Sequence, residues 1–514
     1  MQKTLRNSVI SVFAEIILLL LQFVNRKIFV IFLNVELLGY QSLFDNIFSL
    51  LSVAELGIGG IISFRLYKEI VEQNIEEIQI LMAIYKWVYR VIAFVVFIVG
   101  LIMIPILPYI AKDSTISWSY MLIIYSMQLG NVVCGYLLSY KRTIFIVNQK
   151  EYKCIQINMY VSILLQCLQL LLLWRFRNYF LYLGIQLIIP IVSNIIISYK
   201  ANCEYSYLKK RTKVSLYDIK RRGILKDAKE YLVNMLANAV FGGTDSIIIS
   251  SLCGIREVAL YGNYMILQKG VMQIVFYKLL NPVRATLGNI IYSGRKKEDL
   301  WEQFETLDVF SFFMASYIGI GFLVFTQPVI QLWIGEQYLL SFSFVALFSI
   351  NIYVGALWEI VYKYRCVFGD YRQDWKYMLL SAVANLIISI VGAIKYGVAG
   401  VLIGTIIGFL FIAYGRIRYV VKIFFGKSVF KYLRKHIILF CLVLLEGTVC
   451  TYLTNKMPVS ILGILQRLVV YLGIITLTSG TVFYKNKYFR KMFVYIIQIK
   501  NIILNKIKKG RKKE

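Results

Sequence analysis

Runs of about 20 apolar residues, each long enough to cross roughly 30 Å of hydrocarbon as a helix, recur from residue 8 to residue 484 with only short polar breaks between them. Fourteen such runs are read at about 8–33, 40–66, 81–108, 117–139, 154–174, 179–200, 229–253, 258–283, 306–334, 339–364, 377–394, 398–421, 436–455 and 460–484. The expected fold class is therefore an all-α polytopic membrane protein of about fourteen transmembrane helices, with no soluble domain interrupting them. The 514 residues agree, being 59% hydrophobic and only 16% charged, where a soluble globule of this length carries far more charge. The first run holds Glu15 and Arg26 and lacks a small-residue cleavage site, so it is read as a retained helix rather than a signal peptide.

The net charge of +30 follows from 57 Lys and Arg against 27 Asp and Glu. Its distribution argues for topology and against nucleic acid, because the excess sits between and after the apolar runs. The connection Lys200 to Lys229 holds ten Lys or Arg against Glu204, Asp218 and Asp227, and the tail from Lys485 holds eleven against Glu514. Both are expected to be cytoplasmic, and an even number of spans places both termini on that side. The alternate loops carry only Lys112, Arg175, Arg177, Arg256, Lys395 and Lys456. The basic connection divides the chain into 1–200, an N-terminal six-helix bundle, and 229–421, a C-terminal one, with 201–228 as the loop between them. An additional helix pair, 422–484, and a basic tail, 485–514, complete the organisation. That tail mixes apolar residues with Lys and reads either as an amphipathic segment on an anionic leaflet or as a disordered topology anchor.

Charge inside an apolar span is costly and belongs to the bundle interior or a water-filled cavity. Along the first run Ser8, Ser11, Glu15, Gln22 and Arg26 fall within one angular stripe, and along the second Asp45, Ser49, Ser52 and Ser63 do the same, with Glu55 beside them. The seventh run aligns Tyr231, Asn234, Asn238 and Asp245. The eighth aligns Tyr261, Tyr264 and Gln268, with Lys269 and Lys278 to the sides, and the tenth carries Asn351, Trp358, Tyr362 and Arg365 with Glu359 adjacent. Helix five adds Asn158, Ser162, Gln166 and Gln169. Polar stripes in corresponding positions of two halves are what a transporter built from repeats around a central cavity presents. The expected polar lining is Gln22, Asp45, Asn234, Asn238, Gln268 and Asn351. The eight cysteines lie in or beside apolar runs without a CxxC pair and read as small hydrophobes. His436, the single histidine, leaves almost nothing for a metal site or a His-based triad.

The segment NRKIFVIFL followed by LGYQSLFDNIFSLLSVAELGIGGIISFRLYKEI, with the six-plus-six-plus-two arrangement and the basic central loop, resembles the bacterial polysaccharide transporters of the multidrug/oligosaccharidyl-lipid/polysaccharide superfamily. Within it the likeness is to Wzx-type flippases. The resemblance spans the whole chain, with its distinctive wording between residues 25 and 70. It implies two six-helix bundles in a V-shaped arrangement like that of the superfamily's multidrug exporters, enclosing a cavity that opens alternately to either side of the bacterial cytoplasmic membrane. It also implies a cargo, undecaprenyl-pyrophosphate-linked oligosaccharide repeat units for capsule, exopolysaccharide or O-antigen, and no enzymatic step. The implied partners are that lipid-linked sugar, membrane lipid and, within a biosynthetic cluster, a polymerase and glycosyltransferases. No cofactor is implied, and proton or sodium coupling is the energy source to consider.

Shielding a sugar-diphosphate head calls for a cation, and Arg supplies a planar bidentate fork. Arg26 is the first candidate for the head group, against the readings that it snorkels to the interface or pairs with Glu15 or Glu55. Lys269, Lys278 and Arg365 are candidates for a second cavity wall, although helix ends carry cations in any case. Glu15, Glu55, Asp245 and Glu359 are candidates for ion coupling or for plain charge pairing. The glycines at 392, 397, 400, 404 and 408 read first as close-packing positions. A cation-coupled drug exporter of the same superfamily is the alternative function, and it would favour acidic and aromatic cavity residues over Arg26. A membrane polysaccharide polymerase or ligase is a second alternative, disfavoured by outer loops of under about a dozen residues. The topology is checked by reporter fusions: those in 201–228 and after Lys485 should both report the cytoplasm, and one at Lys456 the opposite side.

Overall fold

A computed structural model of the chain describes residues 2–51, 53–113, 115–209, 236, 239–273, 287, 296–368 and 375–491. Eighteen α-helices form among them: α1 Gln2–Phe32, α2 Val35–Leu51, α3 Val53–Val71, α4 Ile75–Met103, α5 Leu107–Ile110, α6 Trp118–Ser139, α7 Arg142–Val147, α8 Glu151–Phe176 and α9 Tyr179–Glu204, followed by α10 Asp245–Cys253, α11 Ile255–Val271, α12 Lys297–Trp333, α13 Phe342–Leu357, α14 Glu359–Phe368, α15 Trp375–Tyr396, α16 Val398–Ile417, α17 Val429–Thr454 and α18 Ile461–Phe483. The protein is all-α. Ten helical stretches among the described residues are long and apolar enough to cross a membrane, and each overlaps one expected run, with Ile75–Ile110, Lys297–Trp333 and Val429–Thr454 beginning six to nine residues earlier than expected. The other four expected runs, 8–33, 40–66, 229–253 and 258–283, include residues or side chains outside the described part.

Local chemistry sets where these helices begin. Asn74 accepts from the Glu77 N–H ahead of α4, whose first turn holds Glu76 and Glu77, and Asn178 accepts from Phe180 and Leu181 ahead of α9. Ser117, Ser341, Ser428 and Ser460 cap α6, α13, α17 and α18 in the same way. Between α8 and α9 the turn is made by Arg177 in the left-handed region, φ 48°. Apolar length gives the span, and these short polar residues set its register.

The chain forms two compact units, one of residues 1–270 with 386–401 and one of 271–385 with 402–514. In the first, α1 packs along α8, α8 along α9, α4 and α9 against α6, and α10 against α2 and α5. Phe29 of α1 meets Tyr179 and Tyr182 of α9 edge to face, with ring centroids 5.8 and 4.9 Å apart. In the second unit α12 packs against α13, α17 and α18. Two thirds (67%) of the apolar window of α12 is buried, against 22% for α18, so α12 is the hub and α18 faces outward.

Polar residues inside the second unit are paired. Asp308 of α12 accepts from Tyr432, from Lys435 Nζ at 2.6 Å and from His436 Nε2 at 3.1 Å on α17. Lys435 also bonds Glu305 at 2.9 Å, and Trp358 packs against the imidazole of His436 at 4.8 Å. The single histidine thus docks a helix onto the hub. Glu446 of α17 accepts from Thr478 of α18, and Arg467 donates to the carbonyls of Met457 and Pro458 at 2.7 and 2.8 Å, which ties the last helix to the loop before it. Glu302 holds Lys487 and Lys491 at 3.4 and 2.8 Å, drawing the start of the basic tail onto α12, while residues 492–514 of that tail lie outside the described part.

The glycines at 392 and 400 are in backbone contact. A Cβ on Gly400 would lie 2.0 Å from the Gly392 carbonyl oxygen, and one on Gly392 would lie 2.4 Å from the Gly400 oxygen. Gly400→Ala should therefore lower the unfolding temperature in detergent, at a cost of about 1–3 kcal/mol for forced overpacking. Gly130→Ala, where a Cβ would meet nothing within 4 Å, should leave it unchanged, and equal melting of both variants would contradict the close-packing reading.

Candidate functional site

Within the first unit a polar chamber of about 330 Å³ opens among otherwise apolar helices. Gln22, Asn25 and Arg26 come to it from α1, Gln41, Ser42, Asp45 and Asn46 from α2, Gln166 and Gln169 from α8, and Tyr182 and Gln186 from α9. Asp245 and Ser246 of α10 and Tyr261, Gly262 and Lys269 of α11 complete the polar lining. The chamber thus gathers side chains that the sequence separates by more than 200 positions. The lining contains seven amide side chains, two cations and two carboxylates.

The stripe read on the first run explains this convergence. Gln22 and Arg26 share a face of α1, and Asn25 beside them reaches α8, where its amide nitrogen donates to Gln166 Oε1 at 3.1 Å. Arg26 is buried, at 9% exposure, and turns toward α11: its Nε donates to Asn263 Oδ1 at 2.8 Å and its Nη2 to the Ala259 carbonyl at 2.9 Å. Ala259 and Asn263 stand one helical turn apart, so the guanidinium spans one turn of α11. Gly262 makes room for it, because a Cβ there would lie 3.2 Å from both Arg26 Nη2 and Ser42 Oγ. These two bonds commit two of the five N–H donors of Arg26 to holding α1 on α11, while the side chain also lines the chamber.

Lys269 projects from the same helix with its side chain exposed to the chamber and no hydrogen-bond partner among the described residues. Asp45 also faces open space and lies close enough to Lys269 for the two charges to interact. Asp245 is buried and accepts from the Tyr261 hydroxyl at 3.4 Å. Asn46 donates to Ser42 O at 2.7 Å and to Ser246 Oγ at 3.0 Å, joining α2 to α10, while Gln169 donates to the Tyr182 carbonyl at 2.9 Å, joining α8 to α9. The chamber is balanced in formal charge and rich in amides.

Of the positions singled out in the sequence, Arg26, Lys269, Asp245, Gln22, Asp45, Gln166, Gln169 and Tyr261 come together here. Gln268 lies on α11 beside Lys269 and is not part of the lining. Arg365, Glu359 and Asn351 belong to the second unit. There Glu359 pairs with Lys363 at 2.8 Å, and Arg365 and Asn351 are buried. Asn234, Asn238 and Lys278, and the side chains of Glu15 and Glu55, lie outside the described residues. Asn25, Gln41, Asn46, Tyr182, Gln186 and Asn263 are not picked out by the sequence pattern. Gln186 carries a signal nonetheless, being an isolated amide within an apolar run.

One end of this unit is sealed beyond the chamber. Ser250 Oγ donates to Ile110 O at 2.7 Å, the Ile255 N–H to Lys112 O at 3.2 Å and Lys112 Nζ to Leu252 O at 3.4 Å. Glu36 accepts from Thr115 Oγ1 at 2.6 Å. Gly254, at φ 108°, makes the α10–α11 turn against Asp113, and Gly39 of α2 lies so close that a Cβ would sit 2.3 Å from the Ile255 carbonyl oxygen.

No family model and no curated protein matches the sequence. Solved structures do. The lipid II flippase MurJ in an inward closed conformation is similar over 93% of this chain and 99% of its own, at TM-score 0.68 and 13% identity. A multidrug resistance MATE family transporter of the MOP superfamily, inward-facing, is similar over 80% and 98% at TM-score 0.57 and 13% identity. A point mutant of the Vibrio cholerae MATE transporter VcmN is similar over 85% and 98% at TM-score 0.55 and 15% identity. The chain shares its fold with these proteins and is an all-α multi-pass membrane protein.

The seal should yield to a single branched side chain at its tightest point. Gly39→Val, in a background where a single cysteine replaces Gln22, should raise labelling of that cysteine by a membrane-impermeant maleimide added from the side of the 112–117 loop. Labelling equal to that of the Gly39 background would mean that this end is not a closed gate.

Proposed function

We propose that the chain moves an undecaprenyl-pyrophosphate-linked oligosaccharide from the inner to the outer leaflet of a bacterial cytoplasmic membrane by alternating access, with both termini cytoplasmic, for the assembly of a surface polysaccharide. The observation that carries this reading is the chamber itself: amides, hydroxyls and an exposed ammonium enclosed by apolar helices. A polyprenyl tail can stay in hydrocarbon throughout, whereas a sugar-diphosphate head cannot enter it without a polar shelter. Lys269 and the remaining N–H donors of Arg26 supply cationic groups for the diphosphate, and the amides supply partners for sugar. The lipid flippase fold accounts for 93% of the chain, against 80% and 85% for the two drug transporters, which supports a lipid-linked cargo.

A drug exporter is the second reading, and Asp45 facing the chamber favours it, since a carboxylate there could hold an organic cation. The lining weighs against it: Tyr182 and Tyr261 are its only aromatic residues among those described, beside seven amides. Proton or sodium coupling through Asp245, Glu359, Glu15 or Glu55 is part of the proposal. A polymerase and glycosyltransferases are its expected neighbours.

Deleting the gene should trap lipid-linked oligosaccharide in the inner leaflet, read by susceptibility of the sugar to an enzyme added from either side of oriented vesicles. Wild type should restore outer-leaflet lipid, and Lys269→Ala should restore about a tenth as much or less, as expected where a charge-assisted bond to phosphate is removed. Unchanged leaflet distribution together with new sensitivity to cationic drugs would transfer the assignment to the exporter.

A further inference from the structure

Arg90 is the last charge on α4 before Lys112, and the stretch 91–111 between them is, at 1.5 Å per residue, about as long as the hydrocarbon is thick. Arg90 therefore stands at headgroup level. Lys86, one turn earlier, shares its stripe, which continues past Arg90 as Phe94, Phe97 and Leu101, exposed by 66%, 41% and 42%. Beside it runs α6, antiparallel, with the Tyr125 hydroxyl on the Gly100 carbonyl at 2.8 Å. The exposed stripe of α6, Ile123, Gly130 and Leu137, leads to Lys141 just past the helix end. A Cβ on Gly130 would meet nothing within 4 Å. The two stripes meet at Tyr140, whose ring centroid lies 5.9 Å from Lys86 Nζ and 5.8 Å from Lys141 Nζ, with the Arg90 charge close enough to act on its hydroxyl. None of these residues lines the chamber.

Three cations thus converge on one tyrosine. Lys141 donates to Asn202 Oδ1 at 2.7 Å, a neutral partner, and burial together with the neighbouring Lys86 ammonium holds its pKa below the usual lysine value. Arg90 and the Tyr140 hydroxyl make no hydrogen bond among the described residues, and Glu204 is held by Lys150 and Lys153. Like charges gathered in this way repel, and an anion set among them relieves the repulsion. The anion that fits carries its charge at headgroup level and apolar chains along the two helices. Inorganic phosphate has only the first property, and a zwitterionic phospholipid brings an ammonium of its own. We infer that the α4–α6 face is a site for an anionic phospholipid, its phosphate held by Lys86, Arg90, Lys141 and the Tyr140 hydroxyl, and its acyl chains lying on Phe94, Phe97, Leu101 and Leu137. A lipid bound there ties that end of α4 to the turn after α6.

The full-length protein in phosphatidylcholine nanodiscs tests this with trace phosphatidylglycerol or phosphatidylethanolamine carrying a diazirine on one acyl chain, cross-linked by light and mapped by peptide. In wild type the phosphatidylglycerol probe should label 91–102 and 123–137 about fivefold or more above the phosphatidylethanolamine probe, since each cation near an anionic headgroup is worth about fivefold in affinity. Arg90→Gln with Lys141→Gln should bring that labelling down to the phosphatidylethanolamine level and leave labelling of other helices unchanged. Arg90→Lys with Lys141→Arg, which keep the charges, should retain it. Should the neutralised pair fail to fold, each single neutralisation carries the test, with a loss of about fivefold expected. Equal labelling by the two probes in wild type, or phosphatidylglycerol labelling that survives neutralisation, would overturn the site. Displacement of the probe by inorganic phosphate would overturn its lipid character, and displacement by undecaprenyl phosphate more readily than by unlabelled phosphatidylglycerol would make this face a cargo-docking surface instead.

Discussion

The buried guanidinium of Arg26 is the interaction on which the first unit is arranged. A cation deep in an apolar bundle has to be met by hydrogen bonds, and α11 meets it with the Asn263 side chain and the Ala259 carbonyl at 2.8 and 2.9 Å. That requirement draws α11 against α1 and makes a side chain at Gly262 unwelcome. It also brings Lys269, farther along α11, to the same wall as Asp45. One wall of the chamber is thus set by satisfying one charge, and the bonds of Asn25, Asn46 and Gln169 to α8, α10 and α9 join the helices around it. The same rule organises the second unit, where Asp308 gathers Tyr432, Lys435 and His436 and so docks α17 on the hub helix.

Fold and site are legible in the sequence to different degrees because they rest on different signals. Apolar length is a property of a contiguous stretch, so runs such as 117–139 and 398–421 reappear almost residue for residue as α6 and as α16 with the first residues after it. Polar striping is also local, which is why Gln22, Arg26 and Asp45 can be assigned to an interior face before any partner is known. Choosing the partner is a matter of packing between distant segments. The sequence allows Arg26 to be a head-group ligand, an interfacial anchor or a mate for Glu15 or Glu55, and the structure adds that two of its five N–H donors go to an amide and a backbone carbonyl on α11. No spacing rule points from residue 26 to residues 259 and 263. Arg365 and Glu359 show the converse: their local pattern matches that of the first run, yet they belong to the second compact unit.

The amides are the hardest to read. A single Gln within an apolar run, such as Gln186, has no periodicity of its own and is indistinguishable in sequence from one that caps a neighbouring carbonyl. Gln169 does cap one, at Tyr182, and still contributes its oxygen to the chamber wall. What separates these roles is whether both ends of the amide are used, a question about pairing in three dimensions rather than about residue type.

That distinction bears on how a membrane transporter can discriminate between neutral sugars. Under the proposed function, cations in the chamber would recognise what all diphosphate lipids share, whatever ring is attached. Amide oxygens held at fixed positions by their own nitrogens, as Asn46 and Gln169 are, cannot reorient to suit a ligand that offers the wrong donors. Because the Gln169 nitrogen is anchored to the Tyr182 carbonyl of α9 and the Asn46 nitrogen to the Ser246 hydroxyl of α10, the spacing of their oxygens is tied to helix packing. A movement that separates α8 from α9, or α2 from α10, would change that spacing and release the sugar. Recognition and release would then share one cause, the relative placement of the helices, with Lys269 and Arg26 left to keep hold of the phosphate until the head is exposed.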